Sequence, residues 1–101
     1  MDPTRQAMDE IIAPYLEIED VDAAALVSQD GLLVASRGSL GMRMEALAAY
    51  GAAALSTAAD LANVFDSGVP QSITVELDGR FLILAPLSEK LFLLLAGRRH
   101  S

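Results

Sequence analysis

Several residues in this 101-residue chain have the types and spacing that chemistry uses. Asp30 and Asp78 each precede a glycine between two apolar runs, in "VSQDGLLVAS" and "VELDGRFLIL". Two carboxylates brought together could do general acid–base work. Ser28 and Ser36 could be nucleophiles if a histidine served them, and His100 is the only one. "LEIEDVDA" gathers Glu17, Glu19, Asp20 and Asp22, oxygen ligands of the kind hard cations take. "RGSLG" places Gly38 and Gly41 ahead of a helical stretch, a faint likeness to a phosphate-binding loop.

Each has a plainer account. Asp-Gly between apolar runs is a strong hairpin signal, because a type I′ turn needs positive φ at both central residues. Asp30 and Asp78 therefore read as turn residues. His100 stands in the tail "GRRHS", where an ordered base beside a nucleophile is not expected. A histidine metal site fails for the same reason. The acidic run has neither the spacing nor the turn glycine of a calcium loop, and no cation stands among its members. It reads as a solvated loop, with a docking surface for a basic partner as the alternative. "RGSLG" lacks the G-x-x-x-x-G-K-[ST] pattern. No catalytic residue, cofactor or metal is expected.

Composition narrows the class. The chain is 52% hydrophobic and reads as one domain over residues 1–101, able to bury roughly two-thirds of its unfolded surface. The absence of cysteine excludes disulfides and thiolate chemistry and is compatible with a cytoplasmic location. A net charge of -7 disfavours nucleic acid and anionic membrane as partners. The polar N-terminal stretch has no leader pattern. The apolar stretch 81–97 is interrupted by Pro86, Ser88, Glu89 and Lys90, so it reads as two buried strands and a turn.

The elements follow from periodicity. Asp2-Pro3 is a helix start, and Ala7, Met8, Ile11, Ile12 and Leu16 continue at helical spacing over residues 3–16, with Pro14 weakening the last turn. Strands are expected over 23–28 and 32–36, then a long helix over 42–65. In "QSITVEL", Ile73, Val75 and Leu77 alternate with Ser72, Thr74 and Glu76, the pattern of an edge strand. "RFLILAPL" and "LFLLLAG" are nearly all apolar and read as central strands covered on both faces. The expected fold class is α+β: a five-stranded antiparallel meander sheet, with the long helix on one face and the N-terminal helix on the other.

The long helix is unusual. Met44, Leu47, Ala48, Gly51, Leu55, Ala58, Ala62 and Phe65 form its core stripe. The opposite side carries Ala46, Ala49, Ala53, Ser56, Thr57 and Asp60, small rather than charged over its first turns. Small residues allow a second helix to approach closely. The expected interface is therefore between two copies about a two-fold axis, through Ala46, Ala49, Ala53, Ser56 and Thr57; the exposed edge strand, with Ser72, Ile73, Thr74 and Val75, points the same way, since an unpaired edge invites a second chain.

"VDAAALVSQDGLLVAS", "MEALAAYGAAALSTAADL", "SITVELDGRFLILAPL" and "LFLLLAG" together resemble the Roadblock family of dynein light chains and their prokaryotic relatives. The resemblance covers nearly the whole chain and rests on the order of elements rather than on one diagnostic residue. It implies a dimer with antiparallel long helices and third strands paired across the axis. It implies no catalytic site, and a role as regulator of a small Ras-like GTPase or as a motor light chain or scaffold. Longer prokaryotic members add a helix after the last strand; this sequence ends there, which implies a minimal form. Arg37, Arg43, Tyr50 and Asp60 are candidate partner contacts. Arg37 and Arg43 are also the nearest residues to an arginine finger, though helix-flanking surface charge is their simpler role. The two rival readings are a scaffold that holds a target peptide regardless of nucleotide, by strand addition at a sheet edge, and a small-molecule sensor. The second has little support from a core rich in Leu and Ala, which predicts no roomy polar pocket.

Overall fold

The computed structural model describes residues 3–38 and 43–99, with side chains from Gln6 onward; Asp2, Gly41 and His100 lie outside them. Helix α1 (Pro3–Ile12) passes into a short 3-10 helix (Ala13–Glu17). Two strands follow, β1 (Val21–Ser28) and β2 (Leu33–Gly38). Helix α2 (Arg43–Val64) then leads to β3 (Ile73–Leu77), β4 (Arg80–Pro86) and β5 (Leu91–Arg98). The fold is α+β, as expected. The α-helix of α1 stops short of the expected residue 16 because Pro14 lacks the N–H that would bond back to residue 10. The tighter 3-10 turns still bring Tyr15 and Leu16 against the core.

All strands are antiparallel, in the order β2-β1-β5-β4-β3. Successive side chains alternate between faces, so the sheet has two separate cores. Ala23, Ala25 and Val27 of β1, with Leu84, Phe92, Leu94 and Ala96, meet Met44 and Ala48 of α2. On the other face Ala24, Leu26, Ala35, Leu93 and Leu95 meet Ile12 of α1. β5 is central and buried from Phe92 to Gly97, as its apolar run predicts. β4 is less covered: of its residues only Leu84 is fully buried. β3 ends the order and alternates half-buried Ile73 and Val75 with exposed Thr74 and Glu76, so it is the edge strand anticipated.

Both Asp-Gly pairs turn hairpins, but neither turn is type I′. Positive φ occurs at Gly31 (87°) and Gly79 (76°) and not at the aspartates. At the first turn the Gly31 N–H donates to the Ser28 carbonyl and the Ser28 N–H to the Leu32 carbonyl, at 2.9 Å each. This is a three-residue loop that closes on a left-handed glycine. At the second, Leu77 pairs directly with Arg80 across two residues.

Helix α2 ends in a Schellman motif. The Asp66 N–H donates to the Asn63 carbonyl and the Ser67 N–H to the Ala62 carbonyl, with Asp66 left-handed at φ 54° where glycine is usual. Burial fades along the helix. Met44, Ala48 and Gly51 are buried, while Leu61, Val64 and Phe65 are exposed. Phe65 was expected in the core and is not there, being 75% exposed. The reason is length: 22 residues make a rod about 33 Å long. Five strands span only about 19 Å across, and the longest strands about 26 Å. One sheet cannot cover the whole helix.

Candidate functional site

The sequence candidates for chemistry are kept apart by the fold. Asp30 follows the end of β1 that pairs Ser28 with Leu91, whereas Asp78 lies at the end where Arg80 pairs with Arg98. The two exposed aspartates stand at opposite ends of the sheet and cannot act as a pair. Ser28 accepts a hydrogen bond at Oγ from the Leu32 N–H at 3.1 Å, which braces the hairpin. Ser36 is exposed on β2. Among the described residues no group of three or more His, Cys, Asp or Glu is placed to hold a metal ion.

The acidic run is not a purely solvated loop. The Asp22 carboxylate is ion-paired with Arg80 Nη2 at 3.3 Å and with Arg98 Nε at 3.5 Å, and its side chain is only 15% exposed. Arg99 reaches Glu76 at 3.5 Å. Cations distant in sequence supply the partners that "LEIEDVDA" lacks. The Asp20 carbonyl also accepts from the Arg98 N–H at 2.9 Å, so this corner ties β1 to β5.

The expected interface residues do lie on accessible surface. Ala46, Ala49, Ala53, Ser56 and Thr57 are exposed along the outer side of α2, with Tyr50 and Asp60 beside them. Ser72 and Thr74 are exposed at the free edge, and Ile73 and Val75 half-buried. Arg43 begins α2; Arg37 is on β2, at the opposite edge of the sheet from β3.

The structure adds residues that the helical wheel did not single out. Tyr50 (77%), Leu61 (58%) and Val64 (80%) are large apolar groups left in the open. With exposed Thr57 and with Ala54, which is partly buried against the core, they follow one another at intervals of four, three, four and three residues, the spacing at which one helix packs against another. Thr57 Oγ1 donates to the Ala53 carbonyl at 3.1 Å, so its hydroxyl is used within the helix and its methyl is free to pack. Val69 (72%) and Leu77 (55%) extend the exposed apolar surface toward the β3 edge. The available signal was the length of the helix against the width of the sheet.

On the other side of α2 an open groove of about 640 Å³ separates Ala52, Leu55 and Ala59 from the β4–β5 hairpin, with Phe92 in its floor. The Leu- and Ala-rich sequence predicted no roomy polar pocket. Room exists, but aliphatic and aromatic side chains make up most of its walls.

The Roadblock/LC7 domain family profile matches residues 8–96. This chain belongs to the Roadblock/LC7 family. No curated protein matches it by sequence. Among solved structures, a Roadblock/LC7 domain from Streptomyces avermitilis superposes with a TM-score of 0.83 at 22% identity, over 91% of this chain and 78% of that one. The gliding protein MglB of Thermus thermophilus gives 0.85 at 17% identity, over 97% and 76%. An MglB in a tetrameric arrangement gives 0.86 at 17%, over 97% and 75%. At these identities the likeness is one of fold. Members of the Roadblock family are generally adaptors and regulators rather than catalysts. Among the described residues of this Roadblock chain no helix is long and apolar enough to cross a membrane.

Proposed function

We propose that this Roadblock chain is a non-catalytic cytoplasmic adaptor that works as a homodimer and binds a small Ras-like GTPase. The observation that carries the reading is the row Tyr50, Thr57, Leu61 and Val64 along α2, exposed beside the free edge of a regular β3. A second copy related by a two-fold axis would place one long helix against the other and extend the sheet through Ser72, Ile73, Thr74 and Val75. The small side chains at Ala46, Ala49, Ala53 and Ser56 keep close approach open. The GTPase would then meet the outer side of the helix pair, where Asp60 is exposed, with Arg43 at the start of the helix and Arg37 on β2 as further contacts, while Tyr50 is taken up by the seam between the helices. Regulation would come from ordering the GTPase's own switch residues, which requires no catalytic group here.

Two measurements test this. Light scattering on the purified chain should give twice the monomer mass. A tagged chain should retain a small GTPase from extract of the source organism with a GTP analogue and not with GDP. Capture of a larger protein in both nucleotide states would replace this reading with that of a structural light chain.

A further inference from the structure

The two Asp-Gly pairs share a sequence context but not an environment. Both aspartates are exposed. The Gly31 N–H is engaged, donating to the Ser28 carbonyl at 2.9 Å. Gly31 is also packed against α2: a Cβ built on it would stand 3.2 Å from Ala49 Cα and 3.4 Å from Ala52 Cβ. At the second turn no described residue accepts from the Gly79 N–H, and nothing lies within 4 Å of a Cβ built there. Only the Gly79 carbonyl is tied, accepting from the Arg99 N–H at 3.0 Å. The difference bears on a reaction in which the amide nitrogen after an aspartate attacks its side chain. That reaction needs an uncommitted nitrogen and a backbone free to turn toward the carboxyl group, and glycine supplies the second.

We infer that Asp78-Gly79 is a site of spontaneous isoaspartate formation, and that the fold protects Asp30-Gly31 from the same change. The Gly79 nitrogen bonds to Asp78 Cγ, and its proton leaves with the carboxyl hydroxyl as water. The product is a cyclic succinimide, which water then opens. Cleavage between the nitrogen and Cγ restores aspartate. Cleavage between the nitrogen and the Asp78 main-chain carbonyl carbon leaves the chain running through Cβ and Cγ, with that carbonyl carbon now a free carboxylate. One water is lost and one is gained, so the mass is unchanged and no oxidant takes part. The rerouted main chain is one methylene longer inside a turn of two residues. Leu77↔Arg80, the pair that closes this turn, then loses its register. Within the chain β3 is hydrogen-bonded to β4 alone, so its end beside the turn comes loose. The inference depends neither on self-association nor on a GTPase.

The test holds the whole chain in warm neutral buffer for several weeks, once folded and once in concentrated guanidinium chloride, and separates its proteolytic peptides by chromatography. An isoaspartyl peptide has the mass of its parent, elutes apart from it and resists a protease that cuts before aspartate. In guanidinium chloride, where the fold protects neither site, both pairs should convert at similar rates. In the folded chain the Asp78 peptide should convert, and the Asp30 peptide at least about tenfold more slowly, because its reaction waits on a local opening that breaks a hydrogen bond. Asp78→Glu, which would have to close a larger ring, should remove the product. The isomerised chain should exchange the amide hydrogens of β3 faster than fresh chain, with those of β1 unchanged. Equal conversion at the two sites in the folded chain, or none at Asp78, overturns the assignment. Unchanged exchange in β3 overturns the loosening of the strand.

Discussion

Gly97 lies in the middle of the sheet and has no room for a side chain. It pairs with Phe81 across β4 and β5. A Cβ built on it would stand 2.5 Å from Phe81 Cζ and 2.1 Å from the Asp20 carbonyl oxygen. The ring could swing aside, but the carbonyl is backbone. It accepts the Arg98 N–H at 2.9 Å and belongs to a residue already held at φ 74°. Gly97→Ala must therefore overpack a filled site, at about 1–3 kcal/mol. It must also disturb that hydrogen bond, at about 1 kcal/mol. The sum is about 3 kcal/mol, and the melting midpoint should fall by roughly 10–20 °C in a domain of this size. Gly79→Ala is the control. Nothing lies within 4 Å of its Cβ, and only its left-handed φ of 76° opposes a side chain. Its cost is about 1 kcal/mol, or roughly 5 °C. Thermal denaturation of both at one protein concentration decides the matter, since self-association makes the midpoint concentration-dependent. Equal midpoints for the two variants would refute the packing argument at Gly97.

Other perturbations probe separate parts of the structure. Leu61→Glu alters a residue that is 58% exposed, so monomer stability should move by less than about 0.5 kcal/mol. Its dimer dissociation constant should rise at least about tenfold, by analytical ultracentrifugation, because a carboxylate would be buried in the seam. Ala53→Arg should split the dimer in the same assay, and an unchanged mass would take that side of α2 out of the interface. Asp66→Gly removes a left-handed non-glycine and an acidic group from the C-terminal end of α2, and should stabilise by up to about 1 kcal/mol in urea titration. Asp22→Ala leaves Arg80 and Arg98 without their shared partner and should cost about 1 kcal/mol, discounted for the exposure of both arginines. The deficit should narrow in high salt.

The local elements were legible because their signals are local. Alternation in "QSITVEL" identified a strand wet on one side, and β3 is an edge. The apolar run of "LFLLLAG" predicted the buried central β5. Both Asp-Gly pairs turn hairpins, although the backbone uses a left-handed glycine alone rather than two positive φ values. The candidate surface was half legible. The small outer face of α2 could be read from the wheel, whereas the seam through Tyr50, Leu61 and Val64 could not. A wheel assumes that the core runs the full length of the helix. Phe65 shows where that assumption fails.

Periodicity and composition by themselves determined the order of elements, the two-layered cover of the sheet and the absence of a motif for catalysis. Those properties depend on neighbours a few residues apart, and the chain carries that information continuously. Tertiary structure alone decided that Arg80 and Arg98 meet Asp22, that Gly97 lies beneath Phe81, and that the end of α2 is left uncovered. Each depends on residues far apart in sequence and on the size of one element against another. Strand order and register set those distances, and no local pattern encodes them.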